Sequence, residues 1–234
     1  MNIYITSFHR LEMTRKTIEL FHERTTPGTF QIHVFDNASS RQTRDYLYEQ
    51  LLTDKIVSLH LDSRNTGCLY NKLIFYAMTE TKEEYYVVTD NDIYPPKLSP
   101  DWLQQMIGIM DRHPEIAFLT PNLPPVELMG PEKGDNEVIY CKAVGNALRM
   151  IRRSVYPKDY TQELKQYGDD GKTSDLVRAN GFKVAYCKNI YCFHAGQCEN
   201  WGYNKDEIAL DPRKSGYGKP YIATIKNQET YEYK

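Results

Sequence analysis

The chain has 234 residues, of which 41% are hydrophobic and 26% charged, and its 29 basic and 31 acidic residues give a net charge of −2. A charge this close to neutral argues against a dedicated nucleic-acid binder, and the sequence contains no apolar run of the roughly 18 residues that a membrane span needs. The 5 cysteines are an odd number and do not suggest a disulfide framework. We therefore expect a cytoplasmic protein with reduced thiols.

The first 94 residues alternate between strand-like and helix-like hydrophobic patterns. Short apolar runs rich in β-branched residues or Tyr predict strands, and helical spacing of apolar residues follows the first three of them. The predicted strands are Ile3–Thr6, Ile32–Phe35, Ile56–Leu61 and Tyr85–Thr89, and the predicted helices are Met13–His22, Thr43–Leu52 and Leu69–Met78. This succession predicts an α/β fold with a parallel, doubly wound sheet.

Polar residues follow the ends of these predicted strands. In a doubly wound sheet, ligands bind outside the carboxyl ends of the strands. We therefore expect residues 6–10, Asp36, residues 64–67 and residues 90–92 to converge on one crevice.

The second half of the chain has a less regular pattern. It predicts a helix from Trp102 to about Arg112, strands at 116–120, 147–151 and 182–187, and a helix that starts at Thr173. Residues 121–135 are rich in Pro, Gly and acidic residues, which predicts a loop. Residues 200–234 show little periodicity and predict a tail or lid with little regular structure.

Asp90 and Asp92 directly follow the fourth predicted strand. Two carboxylates in this arrangement can hold a divalent cation through oxygen ligands and leave positions for water and phosphate oxygens. The alternative is a pair of solvated turn residues that bond their own backbone. The position at a strand end favours the metal site.

Two further groups are candidates for chemistry. Asp169 and Asp170 are adjacent carboxylates, whose repulsion can leave one of them as an ionised general base; alternatively, they are acids stabilised at a helix N-terminus. His194 is either a histidine of the core or surface, or a zinc ligand together with Cys187, Cys192 and Cys198. These cysteines lack the paired CxxC spacing of common zinc sites.

Six short motifs occur in a characteristic order: IYITSFHR at 3–10, VFDNAS at 34–39, RNTG at 64–67, VVTDND at 87–92, GDD at 168–170 and HAG at 194–196. Together they resemble the family-2-like glycosyltransferases of GT-A fold, over residues 2–196. The resemblance implies a single Rossmann-like GT-A domain at 1–199, with a central mixed, mainly parallel sheet flanked by helices. It further implies a nucleotide-binding half at 1–96, an acceptor and catalytic half at 97–199, and a C-terminal tail or lid at 200–234.

The resemblance also implies roles for individual residues. The implied donor-binding residues are Thr6, Phe8, Arg10, Asp36, Asn65, Gly67, Lys72, Asp90 and Asn91, of which Asp36 would recognise the base, commonly uracil. Leu73 stands where the family often has Asn. The implied metal ligands are Asp92, His194 and Asp90. The implied base is Asp170, with Asp169 as its substitute, because Asp replaces the Glu of the family's Glu-Asp motif here.

The implied activity is a hexosyl transfer from a nucleoside-diphosphate sugar, with UDP as the favoured nucleotide, to a hydroxyl of a glycan or glycolipid. It would depend on Mn²⁺ or Mg²⁺, invert the anomeric carbon and serve polysaccharide biosynthesis, with only peripheral membrane contact. One alternative is a sugar-1-phosphate nucleotidyltransferase, but the turn at residues 6–10 lacks the Gly-rich loop of that class. The other is a non-enzymatic module that binds a nucleotide or sugar.

Overall fold

The computed structural model describes residues 1–63, 77, 80–123, 128–155, 170–198, 222–226 and 229–233. Its helices are α1 (Leu11–Arg24), α2 (Arg41–Leu52), α3 (Trp102–Arg112), α4 (Asp170–Ala179) and α5 (Ala195–Cys198). Its strands are β1 (Asn2–Ser7), β2 (Gln31–Asn37), β3 (Ser58–Asp62), β4 (Tyr85–Asp90), β5 (Ile93–Tyr94), β6 (Ile116–Asn122), β7 (Val138–Cys141), β8 (Leu148–Arg152), β9 (Lys183–Tyr191), β10 (Phe193–His194), β11 (Ile222–Lys226) and β12 (Glu229–Tyr233). The predicted helix at 69–78 lies outside the described residues, apart from Ala77.

The described strands form one large sheet and a separate ribbon. The sheet has the order β12-β11-β3-β2-β1-β4-β8-β6-β9-β7, and the ribbon pairs β5 with β10. The strands β3, β2, β1 and β4 are parallel neighbours, as the first half of the sequence predicts. Antiparallel neighbours flank this block on both sides, so parallel pairs do not outnumber antiparallel ones among the described strands. The prediction of an α/β domain with a mixed central sheet flanked by helices is confirmed.

The core lies on both faces of the sheet because side chains alternate along each strand. On β1, Ile3 and Ile5 pack in a cluster with residues of α1, α2 and α3, whereas Tyr4 packs in a second cluster that includes Val177 of α4. Trp102 is fully buried and meets Phe21 edge to face, with 5.4 Å between the ring centroids. Because β3, β2, β1 and β4 run parallel between these two layers, their carboxyl ends lie at one edge of the sheet.

Helix α3 begins where the sequence predicts because Asp101 caps it. The Asp101 carboxylate accepts a hydrogen bond from the Gln104 backbone N–H at 2.9 Å. Helix α4 begins at Asp170 and not at the predicted Thr173. Gly171 is a weak helix former, so the sequence pattern does not show the first turn of this helix. Among the described helices, none is long and apolar enough to cross a bilayer.

The sequence predicts a tail with little regular structure at 200–234, but the structure has two strands there, β11 and β12. β11 pairs antiparallel with both β3 and β12, which extends the large sheet. The segments IATIK and ETYEY are rich in β-branched or aromatic residues, which favours strands. The free edge of β3 supplies the pairing partner that a local sequence pattern cannot reveal.

Candidate active site

The carboxyl ends of β1, β2 and β4 bring predicted site residues to one edge of the sheet. Thr6 and Asp90 are register partners on parallel strands, and the Thr6 hydroxyl donates to Asp90 Oδ1 at 2.9 Å. Asp36 near the end of β2 is the register partner of Ser7. The structure therefore places Thr6, Asp36 and Asp90 where the strand pattern predicts a crevice.

The turn after β1 is tied to the turn after β4 by Arg10. Its guanidinium donates from Nη1 to Asp92 Oδ2 at 2.5 Å and from Nη2 to Asn91 Oδ1 at 2.6 Å. The Asn91 amide in turn donates to Thr14 Oγ1 at 2.7 Å and to the His9 carbonyl at 3.3 Å. Asn91 is fully buried, so its contacts hold the two turns together, and a donor-binding role for it stays a prediction.

The β5–β10 ribbon brings His194 to the same site. His194 is the register partner of Ile93, the residue that follows Asp92. The ribbon continues into α5, whose first backbone N–H, from Ala195, donates to the Asp92 carbonyl at 2.9 Å. The His194 Nε2 atom lies 3.4 Å from Asp92 Oδ2.

Gly196 completes the packing around Asp92. A Cβ atom at position 196 would overlap Asp92 Oδ2, and it would lie 3.0 Å from Arg10 Nη1 and 3.2 Å from Asp92 Cγ. A glycine is therefore required here by the close approach of the α5 backbone to the carboxylate. The sequence motif contains this glycine, but its steric role depends on a contact between residues that are distant in the chain.

Asp90, Asp92 and His194 form a group that fits a divalent cation. One ligand atom from each of these residues lies within 4.8 Å of the other two. Asp92 Oδ1 is buried and has no hydrogen-bond partner among the described residues. A buried carboxylate oxygen without a partner is costly unless a cation or donor binds it. Two carboxylates and an imidazole are suitable ligands for Mn²⁺ and similar ions.

Asp92 is ionised in this environment. Burial alone raises its pKa, but the neighbouring His194 ring and the positive charge of Arg10 outweigh that effect and hold the pKa below its ordinary value of 3.8. The Asp92 side chain is only 1% exposed. The site thus presents a buried negative charge at neutral pH.

Asp36 forms a second buried carboxylate at the sheet edge. Its Oδ2 accepts from Arg44 Nε at 2.8 Å and from the Ser39 N–H at 3.1 Å. Arg44 also donates to the Asp62 carbonyl at 2.6 Å and so joins the ends of β2 and β3. Burial raises the pKa of Asp36, although Arg44 opposes that shift. Asp36 Oδ1 has no hydrogen-bond partner among the described residues.

Sequence reasoning missed Arg44, which lies within α2 and outside the strand ends. No local pattern distinguishes it from the exposed Arg41 of the same helix. Phe8, a predicted donor-binding residue, is half-buried and packs against the His9 ring at 4.2 Å between centroids.

A family comparison adds to this geometry. The model of the family described as glycosyl transferase family 2 matches residues 2–159. The chain belongs to glycosyl transferase family 2. The predicted family is thereby confirmed.

This family-2 member is also similar to solved structures. A structure of GalNAc-T7 with UDP, GalNAc and Mn²⁺ matches with a TM-score of 0.64 and 13% identity, over 86% of this chain and 45% of that one. The mannosyltransferase PcManGT from Pyrobaculum calidifontis, with GDP-Man and Mn²⁺, matches with a TM-score of 0.62 and 14% identity, over 83% and 56%. Residues 1–349 of S. aureus TarS match with a TM-score of 0.57 and 14% identity, over 81% and 59%.

At these identities the likeness extends to the fold alone, and the predicted GT-A fold is confirmed. The family-2 chain spans about half the length of these solved chains. None of the curated proteins compared with it matches.

The remaining predicted residues have no described side chain. Asn65, Gly67, Lys72 and Asp169 lie outside the described residues, and Asp170 is described only as the first residue of α4. Their roles in this family-2 member stay predictions.

The zinc alternative gains no support from the described residues. Cys187 and Cys192 are buried in the hydrophobic core, and burial raises the pKa of both thiols. A zinc ligand is a thiolate, which these surroundings disfavour. His194 instead lies beside Asp92.

Proposed function

We propose that this chain is a metal-dependent glycosyltransferase that moves a sugar from a nucleoside-diphosphate sugar to a hydroxyl group. The observation that carries the proposal is the buried, unpartnered Oδ1 of Asp92 beside Asp90 and His194. These three residues would hold the divalent cation, Mn²⁺ or Mg²⁺. When bound, the cation would neutralise the negative charge that develops on the leaving diphosphate.

We favour a uridine nucleotide as the donor carrier. Asp36 Oδ1 is a buried acceptor that lacks a partner among the described residues, and an imide N–H of uracil could donate to it. Arg44 holds the other carboxylate oxygen at 2.8 Å and so fixes the carboxylate plane. A structure of TarS contains UDP-GlcNAc, whereas a structure of PcManGT contains GDP-Man, so the choice of base needs a direct test.

Thr6, Phe8, Arg10, Asn65, Gly67, Lys72 and Asn91 are the further residues that we assign to the donor side. For Thr6, the assignment is supported by its hydrogen bond to Asp90 at 2.9 Å, because this bond orients the Asp90 carboxylate at the end of β4. Residues 1–96 would bind the nucleotide and residues 97–199 the acceptor.

We assign the general base to Asp170, with Asp169 as its substitute. Asp170 is the first residue of α4, where the positive end of the helix dipole favours an ionised carboxylate. The Asp170 carboxylate would take the proton of the acceptor hydroxyl as that oxygen bonds to the anomeric carbon. The bond from the anomeric carbon to the phosphate oxygen breaks in the same step, and the diphosphate leaves with the electron pair. Such a direct displacement inverts the anomeric carbon.

The acceptor in this proposal is a glycan or glycolipid hydroxyl in polysaccharide biosynthesis, approached from the cytoplasm by peripheral contact. The described cysteines Cys141, Cys187 and Cys192 are free thiols, which suits a reducing compartment.

Calorimetric titration of UDP, GDP and dTDP, each with and without Mn²⁺, tests the proposal. We expect Mn²⁺-dependent binding that is strongest for UDP, and we expect Asp92→Asn to remove the Mn²⁺ dependence. Asp45→Asn is the matched control, because Asp45 is 66% exposed on α2. The absence of Mn²⁺-dependent binding for all three nucleotides would refute the proposed function, whereas a preference for GDP would refute only the choice of base.

A screen of nucleotide sugars for release of the nucleoside diphosphate would then identify the donor sugar. The products distinguish sugar transfer from nucleotidyl transfer. A glycosyltransferase releases a nucleoside diphosphate, whereas a nucleotidyltransferase consumes a sugar phosphate and releases pyrophosphate.

A further inference from the structure

Arg10 is held in an unusual backbone conformation directly before α1. Both His9 and Arg10 have φ of 53°, in the left-handed region, although neither is glycine. This conformation costs about 1 kcal/mol or more for each such residue. The fold therefore holds the Arg10 backbone in a strained conformation, and this conformation directs the Arg10 side chain toward the β4–β5 turn.

That side chain acts as a fork between two residues of the β4–β5 turn. Nη1 bonds Asp92 Oδ2 and Nη2 bonds Asn91 Oδ1, at 2.5 and 2.6 Å. The Arg10 side chain is 9% exposed and the Asp92 side chain 1%, so water screens their attraction only weakly. The pair is a buried ion pair with fixed geometry.

The fork leaves the two oxygens of Asp92 in different situations. Oδ2 is enclosed by Arg10, by the His194 ring and by the backbone of Gly196, where a Cβ atom would overlap it. Oδ1 is buried and has no hydrogen-bond partner among the described residues. A cation at Asp92 would therefore bind through Oδ1 while Arg10 retains Oδ2.

The same arrangement places a fixed positive charge next to the proposed cation. Asp90 and Asp92 contribute negative charge to the metal group, and Arg10 cancels part of it before any metal arrives. A divalent cation bound to Asp92 would be repelled by the guanidinium through a weakly screened environment. The diphosphate of a bound donor would compensate for that repulsion with its own negative charge.

We propose that Arg10 is a positioning residue that fixes Asp92 through Oδ2 and, as an internal cation, keeps the metal affinity of the free protein low until a nucleoside diphosphate is bound. The inference rests on the proposed function, because it concerns the same metal group. It adds a coupling between the two binding events: metal and nucleotide bind cooperatively, and each raises the affinity of the other by the same factor.

The test measures Mn²⁺ affinity by electron paramagnetic resonance, from the signal of free Mn²⁺, with and without UDP. We expect Arg10→Gln, which removes the charge, to bind Mn²⁺ at least about tenfold more tightly without UDP than the unchanged protein does. We also expect UDP to improve Mn²⁺ affinity by a smaller factor in this variant. Arg10→Lys keeps the charge but loses the fork, and we expect it to restore the low affinity.

Arg112→Gln is the matched control for net charge, because Arg112 pairs with Glu137 and is 55% exposed. Arg10→Met is a second neutral variant whose stem fills similar space, in case Arg10→Gln does not fold. Unchanged or weaker Mn²⁺ binding by the folded neutral variants would overturn the inference, as would equal tightening in Arg112→Gln. If the unchanged protein binds no Mn²⁺ even with UDP, GDP or dTDP, the proposed function itself fails.

Discussion

Gly196→Ala is a one-methyl change that should disable the metal group. The added Cβ atom would overlap Asp92 Oδ2 and lie 3.0 Å from Arg10 Nη1. The clash is with a carboxylate oxygen that Arg10 holds at 2.5 Å, while the Ala195 N–H holds the backbone carbonyl of Asp92 at 2.9 Å. Relief of the clash therefore requires at least one of these hydrogen bonds to lengthen.

The expected cost follows from two effects. Overpacking a tight site by one methyl costs about 1–3 kcal/mol. Gly196→Ala keeps both charges of the Arg10–Asp92 pair and only displaces them, so the weakened hydrogen bond between them adds about 1 kcal/mol. We expect Gly196→Ala to lose about 2–4 kcal/mol of unfolding free energy and to lose Mn²⁺ binding in the presence of UDP.

Urea unfolding and Mn²⁺ titration of the same preparations check this expectation. Gly108→Ala is the matched control, because Gly108 lies within α3 and the atom nearest to its added methyl group would be the flexible end of Arg112, at 3.2 Å. The control should be neutral or more stable by up to about 1 kcal/mol, since Ala is the better helix former. A Gly196→Ala protein that matched the unchanged protein in both stability and Mn²⁺ affinity would refute the packing described for Asp92.

Three further predictions concern other parts of the molecule. Asp170→Asn should retain Mn²⁺-dependent nucleotide binding, and its rate of sugar transfer should fall at least about a hundredfold. Asp175→Asn, on the same helix and 75% exposed, should leave both properties unchanged. Near-normal turnover of Asp170→Asn would mean that another residue is the base or that the mechanism is not inverting. The Arg112 hydrogen bonds hold the pKa of Glu137 below its ordinary value of 4.5, so this carboxylate contributes stability above that pH and loses it as the pH falls through the lowered pKa. The destabilisation caused by Glu137→Gln, from urea unfolding, should therefore be smaller at pH 3 than at pH 7; an equal effect at both values would contradict the ion pair. Thr224→Pro should lower the melting temperature and promote aggregation, because proline removes an N–H from the middle of β11, which pairs with both β3 and β12; an unchanged melting temperature would argue against that pairing.

The metal group illustrates how far local sequence can lead. Asp90 and Asp92 could be placed at a strand end because the apolar run before them has the length and composition of a buried strand. His194 could be associated with them only through a resemblance, since β5 and β10 are two-residue strands that no periodicity reveals. Their pairing is a tertiary contact between distant parts of the chain.

The two partly buried arginines of the site, Arg10 and Arg44, differ in how far the sequence predicts their roles. The resemblance placed Arg10 near the donor, but the partner it bonds depends on two consecutive residues with positive φ, a conformation that residue type does not predict for His and Arg. No sequence pattern indicates a role for Arg44, because its contacts with Asp36 and the Asp62 carbonyl arise from the packing of α2 beside the ends of β2 and β3.

The sequence by itself determined the α/β class, the parallel block of the first four strands and the edge of the sheet at which the polar residues gather, because hydrophobic period and strand-end position are local properties. Only the tertiary structure decided which antiparallel strands flank the parallel block and that β11 and β12 extend the sheet. It also decided that Arg10 bonds Oδ2 of Asp92 while Oδ1 has no hydrogen-bond partner among the described residues. These features arise where segments far apart in the chain meet, and the free energy that selects them comes from packing and charge pairing that no local pattern records.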